Sequence, residues 1–224
     1  MELLALRVDT ALVYVSTQPV RTRFARLRLR QGKYFAHRGN LEEMRTAYIG
    51  MGGNLASPAG PPQATLAAAA LRLESLGRMA GRSSLYSTAP VGFDAQPRFI
   101  NSVVALETEL APRELLAGLL AIEQNFGRDR SAGIANGPRT LDLDILLFGN
   151  LEISEPDLEI PHPRLTERAF VLVPLNEIAP RLVVPGHGQT VAQLLARLID
   201  DPNCISSSVV RVQNDLWPSR RIVE

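Results

Sequence analysis

The chain has 224 residues, of which 46% are hydrophobic and 21% are charged, and this composition is typical of a globular protein that buries a core. It excludes global disorder, and no apolar run approaches the length of about 18 residues that a membrane helix needs. The formal net charge of +1 divides into +5 for residues 1–46 (nine basic and four acidic side chains) and −4 for the other 178 (fifteen and nineteen), so the larger, acidic part argues against a nucleic-acid-binding surface.

The length predicts one domain with extensions. We place this domain at residues 47–200, between a basic extension at residues 1–46 and a tail at residues 201–224 that lacks hydrophobic periodicity and is expected to be loose. Cys204 is the single cysteine, so it forms no intramolecular disulfide, and with three separated histidines it cannot build a Cys/His zinc site. A reducing, cytoplasmic setting fits these features.

The basic extension contains a run, residues 20–30, in which basic and apolar residues alternate. Such a run indicates an amphipathic strand or an arm that binds RNA or lipid, while a disordered tail is the simpler interpretation. A third alternative is that translation begins at Met44, directly before the first convincing strand. We expect the extension to be dispensable for folding and activity.

The predicted elements of the domain begin with a strand and a helix. Residues 47–51 predict a short buried strand, and the glycine-rich residues 52–54 predict a turn that tolerates positive φ. Residues 63–76 are rich in Ala and Leu with helical apolar spacing, and Gly77 is placed to cap the C-terminus of that helix.

Two strands and a second helix follow. Residues 81–88 and 99–109 predict strands, and the loop of residues 89–97 between them is long enough to line a site. The second helix is predicted over residues 112–127, because Pro112 suits a first helical turn and a row of leucines forms a buried face.

A polar loop at residues 128–138 then leads to a strand at residues 139–148. The order β-α-β-β-α-β predicts an α+β fold of the ferredoxin-like type, with helices packed on an antiparallel sheet. Residues 169–178 and 191–199 predict additional C-terminal helices.

Two aspartates in the last strand are the strongest chemical signal. Asp142 and Asp144 share one face, because side chains of a strand alternate between its two faces. Like charges this close are unfavourable without a cation or strong donors between them. Oxygen ligands of this kind suit Mg²⁺. The alternative is that both aspartates face solvent, and the nearby Arg139 shifts the balance toward a phosphate site.

Arginines around this strand extend the signal. Arginine presents a planar fork that matches phosphate oxygens, so several arginines with Mg²⁺ are suited to hold a triphosphate. The arginines in suitable places are Arg128, Arg130, Arg139 and Arg168. His162 lies between two prolines in a rigid segment, although a histidine of this kind is more often a surface residue or a partner of the backbone. The sequence contains no Walker A lysine loop.

The stretch GPRTLDLDILLF, residues 137–148, resembles the signature of the 6-hydroxymethyl-7,8-dihydropterin pyrophosphokinase family of folate biosynthesis. Five further stretches support the resemblance, which spans residues 47–199. These are AYIGMGGNL at 47–55, YSTAPVG at 86–92, QPRFIN at 96–101, IPHPR at 160–164 and RAFVLVPL at 168–175.

The resemblance implies transfer of the terminal pyrophosphoryl unit of ATP to the hydroxymethyl group of 6-hydroxymethyl-7,8-dihydropterin, with release of AMP. It implies that Asp142 and Asp144 bind two Mg²⁺ ions. The residues implied to act on phosphates are Arg128, Arg130, Arg139 and Arg168, and those implied on the nucleotide side are Glu123, Ile145 and His162. The residues implied around the pterin are Thr88, Ala89, Val91, Phe99, Asn101 and Phe170. We expect a monomer with these small-molecule substrates and without nucleic-acid or membrane partners.

The sequence departs from the family pattern at several positions and leaves two other functions open. Asn136 stands where the family often has an aromatic residue before the signature, and Phe99 lacks the hydroxyl of the more familiar tyrosine. A Mg²⁺-dependent phosphatase or nuclease is the competing enzyme, and it would need no pterin. An RNA-recognition module shares the order of elements, but the strands lack the closely spaced aromatic residues of such modules.

Overall fold

The structure is a computed structural model that describes residues 44–129, 137–201, 209–214 and 217. The elements of the first part are β1 Arg45–Gly53, α1 Pro62–Leu73, β2 Arg78–Arg82, β3 Leu85–Thr88, β4 Phe99–Thr108 and α2 Pro112–Asn125. The elements that follow are β5 Asp142–Phe148, β6 Ile153–Glu155, β7 Leu158–Ile160, a 3₁₀ turn Leu165–Glu167, α3 Ala169–Ile178, β8 Val183–Val184, β9 Gln189–Thr190, α4 Val191–Ile199 and β10 Val210–Val212.

The main sheet has the strand order β10-β3-β4-β1-β5, and β2 also pairs with β4. All of these pairs are antiparallel, and β1 lies between β4 and the edge strand β5. The predicted α+β fold of the ferredoxin-like type, with additional C-terminal helices, is confirmed.

Helices cover both faces of this sheet. One face packs on α1 and α2 through residues such as Ile49 and Leu143, and the other packs on α3 and α4 through residues such as Tyr48 and Leu146. Each set forms a buried apolar cluster, so the sheet is stabilised from both sides. In the part of the chain that the structure describes, every helix is too short or too polar to cross a bilayer.

A β-bulge interrupts β5 near its middle. Tyr48 pairs with Leu147 and Ile49 pairs with Ile145, so Leu146 is the extra residue of β5. The carbonyl of Leu146 accepts a hydrogen bond of 2.9 Å from the backbone N–H of His162. The bulge therefore ties the segment that carries His162 to the strand that carries the two aspartates.

The glycines after the first strand do not form the predicted turn. Gly52 and Gly53 lie inside β1, and neither has a positive φ. A Cβ atom on Gly53 would lie 2.3 Å from the carbonyl oxygen of Thr140, and one on Gly52 would lie 2.7 Å from Asn101 Oδ1. These positions need glycine because the neighbouring backbone and side chain come so close, not because the chain reverses there.

Two further local predictions are wrong. The first helix ends at Leu73 with Glu74 as its cap, and Gly77 has no positive φ but lies where a Cβ atom would be 2.3 Å from the carbonyl oxygen of Glu107. The predicted strand at residues 81–88 is divided into β2 and β3. Ser83 causes the break, because its hydroxyl accepts a bond of 3.0 Å from the N–H of Val103 in β4.

The predicted loose tail is partly ordered. β10 pairs with β3, and Trp217 is 3% exposed and belongs to the core cluster that packs on α1 and α2. The indole N–H of Trp217 donates a hydrogen bond of 2.6 Å to the carbonyl oxygen of Ser83. Residues 1–43 lie outside the described residues and β1 begins at Arg45, so the dispensability of the extension and the domain boundaries stay predictions.

Candidate active site

Two neighbouring cavities open at one end of the sheet, on the face that α3 covers. The first, the carboxylate cavity, has a volume of about 40 Å³ and is lined by Asp142 and Asp144. The second, the aromatic cavity, has a volume of about 160 Å³ and is lined by Phe99 and Phe170. The cavities are contiguous, since both are lined by Asn101, Arg139, Arg168 and Phe170.

The two aspartates share one face of β5, as the alternation predicted. Asp142 is paired with two arginines, with Arg128 Nη1 2.8 Å from Oδ1 and Arg139 Nε 3.1 Å from Oδ2. The Arg139 Nε atom is buried and makes no directed hydrogen bond within the described residues, so its contact with Asp142 is an ion pair only.

Among the residues that the structure describes, Asp144 has no ion pair as close as those of Asp142. The pKa of Asp144 is raised from 3.8 to about 6, chiefly by burial and then by the negative charge of Asp142, while the positive charge of Arg168 opposes both effects. The site thus holds one carboxylate that is paired with two arginines, Asp142, and one whose ionised form is disfavoured by burial, Asp144. No third His, Cys, Asp or Glu joins the pair to form a metal-binding group among the residues described.

Glu123, on α2, contacts the backbone of β5 and the side chain of Arg128. Its side chain is 1% exposed, Oε1 accepts a bond of 2.8 Å from the N–H of Leu143, and Oε2 lies 3.7 Å from Arg128 Nε. Arg128 in turn donates a bond of 2.8 Å to the carbonyl oxygen of Leu141. Glu123 therefore connects α2 to the backbone of β5.

Glu123 and Ile145 were predicted on the nucleotide side, and that role stays a prediction. Glu123 directs its carboxylate to the strand and to Arg128. Ile145 is 6% exposed and belongs to the core cluster on the α1 and α2 side, because it shares the strand face of Leu143 and not that of Asp144. Neither residue lines the two cavities.

Arg139 joins the two cavities. Its guanidinium lies over the ring of Phe99, 5.0 Å from the centroid, while its Nε contacts Asp142. The backbone of Arg139 is held by Asn54, whose Oδ1 accepts a bond of 2.8 Å from the Arg139 N–H and whose own N–H donates a bond of 2.9 Å to the Arg139 carbonyl. The site role of Asn54 was missed from sequence, where its place after two glycines suggested only a turn.

The residues predicted to surround the pterin lie together in the structure. Together they line the aromatic cavity: Thr88, Ala89, Val91, Phe99, Asn101 and Phe170. Asn101 is 8% exposed and its amide donates a bond of 2.7 Å to Thr88 Oγ1, which fixes its orientation. Arg164 also lines this cavity, although no role was predicted for it.

Arg168 lines the carboxylate cavity, and His162, which lines neither cavity, is within range of the charge of Asp142. His162 Nδ1 accepts a bond of 3.1 Å from the N–H of Arg164, which assigns the proton of the neutral ring to Nε2. Burial lowers the pKa of His162, and the positive charge of Arg168 lowers it further, so the ring is neutral near pH 7. Burial also lowers the pKa of Arg168, whose guanidinium lies 5.5 Å from the centroid of the Phe170 ring. Arg130 and Asn136 lie outside the described residues.

The chain matches one protein family and several curated proteins of that family. Residues 48–180 match the family described as 7,8-dihydro-6-hydroxymethylpterin-pyrophosphokinase (HPPK). The chain is 46% identical over 153 residues to the 2-amino-4-hydroxy-6-hydroxymethyldihydropteridine pyrophosphokinase of Pseudomonas aeruginosa, covering 68% of this chain and 91% of that protein. It is 43% identical over 164 residues to the protein of the same name from Methylorubrum extorquens, covering 72% and 98%.

Solved structures share the fold. The wild-type Plasmodium falciparum HPPK-DHPS with pteroate has a TM-score of 0.59 at 16% identity, over 77% of this chain and 48% of that one. This chain thus spans about half the length of that structure, and the likeness concerns the fold. The extent of the family match and the identity to the bacterial proteins show that the chain belongs to the 7,8-dihydro-6-hydroxymethylpterin-pyrophosphokinase family.

Proposed function

We propose that the chain transfers the pyrophosphoryl group of ATP to the hydroxymethyl oxygen of 6-hydroxymethyl-7,8-dihydropterin, giving AMP and the pterin diphosphate, as a step of folate biosynthesis. The observation that carries this proposal is the contact between the two cavities. A carboxylate pair suited to phosphate chemistry adjoins an aromatic cavity, and Asn101, Arg139, Arg168 and Phe170 line both. The membership of the family supports the choice of substrates.

The aromatic cavity is the proposed pterin site. A flat heterocycle needs apolar faces and directed partners for its polar edge. Phe99 and Phe170 offer the faces, while Asn101 and Thr88 offer a fixed amide and hydroxyl. Ala89 and Val91 close the side of the cavity on the β3–β4 loop.

Asp142 and Asp144 are the proposed ligands of two Mg²⁺ ions. The donor set fits, because Mg²⁺ takes one or two carboxylates and fills its remaining positions with water and substrate phosphates. When bound, Mg²⁺ would supply charge stabilisation for the attacking and leaving oxygens of an in-line displacement at phosphorus. Burial and the charge of Asp142 keep Asp144 partly protonated without a cation, which supports a cation as its partner.

The arginines and His162 are the proposed partners of the triphosphate and nucleotide. The buried Nε of Arg139 makes no directed hydrogen bond within the described residues, and a phosphate oxygen would satisfy it. Arg128 is held in place by Leu141 and Asp142, and Arg168 lines the carboxylate cavity. Preorganised guanidinium groups of this kind stabilise charge that develops on transferred phosphates. His162 offers a neutral ring whose Nε2–H is a donor, and the role of Arg130 stays a prediction.

The test is AMP formation by the purified full chain with ATP, Mg²⁺ and the hydroxymethyl pterin, with each component omitted in turn. We expect AMP only when all three are present. Phosphate release that does not need the pterin would indicate the competing phosphatase or nuclease. Sedimentation at the assay concentration tests the proposed monomer, and the cytoplasmic location is tested by fractionation of the producing cell.

A further inference from the structure

Asn54 lies at the end of β1, between the two segments that carry the opposite halves of the site. It is a polar residue with an exposed fraction of only 5%. Its amide nitrogen donates bonds of 2.9 Å to Gln96 Oε1 and 3.0 Å to the carbonyl oxygen of Pro97. Its amide oxygen accepts the bond of 2.8 Å from the Arg139 N–H. The side chain therefore donates hydrogen bonds to one segment and accepts a hydrogen bond from the other.

The first segment leads directly to the aromatic cavity. Pro97 is two residues before Phe99, and the loop is braced internally by a bond of 2.7 Å from Gln96 Nε2 to the carbonyl oxygen of Phe93. The second segment leads directly to the carboxylates, because Arg139 is three residues before Asp142. One buried amide thus holds the start of the pterin-side strand β4 and the start of the metal-side strand β5 at a fixed separation.

The backbone adds to this link. The N–H groups of Asn54 and Leu55 both donate to the carbonyl oxygen of Arg139, at 2.9 Å and 3.1 Å. Gly53 lets the Thr140 carbonyl approach to a distance that no side chain would allow. Arg139 is therefore held at its N–H and its carbonyl while its guanidinium covers Phe99.

We infer that Asn54 is a positioning residue that sets the distance between the pterin site and the phosphate site, an inference that rests on the proposed function. In-line transfer needs the attacking hydroxyl within near-contact distance of phosphorus, and a displacement of about 1 Å at a remote residue costs about a hundredfold in rate. Asn54 itself lines neither cavity, so its contribution passes through Arg139 and Pro97.

The experiment compares Asn54→Ala, Asn54→Asp and Thr108→Val by kcat, by KM for each substrate and by thermal unfolding. Thr108 is the matched control, because it is 2% exposed and its hydroxyl also ties two segments, at 2.6 Å to the Leu76 carbonyl and 3.2 Å from the Leu110 N–H. It lies at the other end of β4, nine residues from Phe99.

We expect Asn54→Ala to lower kcat by about tenfold or more, with a raised KM for the pterin. Thr108→Val is expected to lower the melting temperature without changing kcat or either KM. Asn54→Asp keeps the acceptor for the Arg139 N–H but places an oxygen against Gln96 Oε1 and the Pro97 carbonyl. It is therefore expected to raise mainly the KM for the pterin, and it carries the test if the alanine variant does not fold.

Two results would overturn the inference itself, and a third would overturn the proposed function on which it rests. If the unsubstituted chain makes pterin-dependent AMP and both Asn54 variants keep kcat and KM within about twofold of it, Asn54 is only structural. If kcat falls in proportion to melting temperature in the Thr108 and Asn54 variants alike, the lower kcat reflects a general loss of stability and not a changed distance between the two sites. If the unsubstituted chain makes no such AMP, the proposed function fails and the inference falls with it.

Discussion

Arg139 lies with its guanidinium over the ring of Phe99, 5.0 Å from the centroid. The same side chain contacts Asp142 through Nε at 3.1 Å, so one residue forms the shared wall of both cavities. A lysine has neither the planar face nor the fork that these two contacts use.

We therefore expect Arg139→Lys to lower kcat/KM by about a hundredfold, the order found when one preorganised donor is removed from an active site. The control is Arg113→Lys, because Arg113 makes an exposed ion pair with Glu155 far from the cavities. Steady-state AMP formation measures both variants. A kcat/KM for Arg139→Lys equal to that of the control would contradict the assigned role.

The two aspartates are expected to respond oppositely to removal of their charge. Asp144→Asn removes a buried carboxylate whose pKa is raised to about 6, so without metal the variant is expected to be more stable at pH 7, by up to about 3 kcal/mol at 1.36 kcal/mol per pKa unit. Asp142→Asn breaks ion pairs with Arg128 and Arg139 and is expected to be less stable. Both variants are expected to lose Mg²⁺-dependent turnover.

Urea unfolding in EDTA measures these stabilities, and the AMP assay measures turnover. Equal shifts of the same sign in the two variants would show that the environments of the carboxylates do not differ as the structure indicates. Near-normal turnover in either variant would refute its role as a metal ligand.

The pH dependence of stability follows from Asp144. Its pKa in the folded chain, about 6, lies above the ordinary value of 3.8, so the folded state holds this proton more tightly than the unfolded state. Its contribution to stability is therefore full below about pH 4 and is lost as pH rises through 6. Because Mg²⁺ binds the ionised carboxylate, the stabilisation by Mg²⁺ is expected to grow over the same interval.

Melting temperatures between pH 4 and pH 7.5, each with Mg²⁺ and with EDTA, test this dependence. The difference between the two curves is expected to widen with pH in the parent chain and to be small and flat in Asp144→Asn. A parent difference that does not change with pH would contradict the prediction.

The ordered part of the tail makes a separate prediction about stability. Trp217→Phe keeps most of the buried ring but leaves the Ser83 carbonyl without the indole N–H. We expect a loss of about 1–3 kcal/mol in the free energy of unfolding, the usual cost of an unpaired buried acceptor. The control is Trp217→Ala, which also removes the ring from the core cluster and is expected to cost more. A phenylalanine variant as stable as the parent would show that the hydrogen bond contributes nothing.

Regular alternation and spacing made much of this molecule predictable. Asp142 and Asp144 face the same side because a strand repeats every two residues, and the helices α3 and α4 have the predicted bounds. The residues around the aromatic cavity were assigned through motif resemblance, which carries information about distant contacts that local pattern lacks.

The details that the sequence did not predict depend on contacts with residues that are distant in the chain. Glu123 is a buried carboxylate because α2 packs its side chain against Leu143 and Arg128, and no local pattern encodes that pairing. The bulge at Leu146 depends on its register with β1. The three residues of β10 are too few to show a period of two, although they complete the sheet.

Gly53 and Asp144 would respond differently to sequence change, because one is required by the fold and the other is not. A Cβ atom there would lie 2.3 Å from the Thr140 carbonyl, so steric exclusion closes the position to every other amino acid whether or not the protein is an enzyme. Asp144 is the reverse, since its charge is costly for the fold without a cation. In a descendant that kept this architecture but lost its chemistry, drift would retain the glycine and replace the aspartate, so the aspartate is the better marker of an active copy.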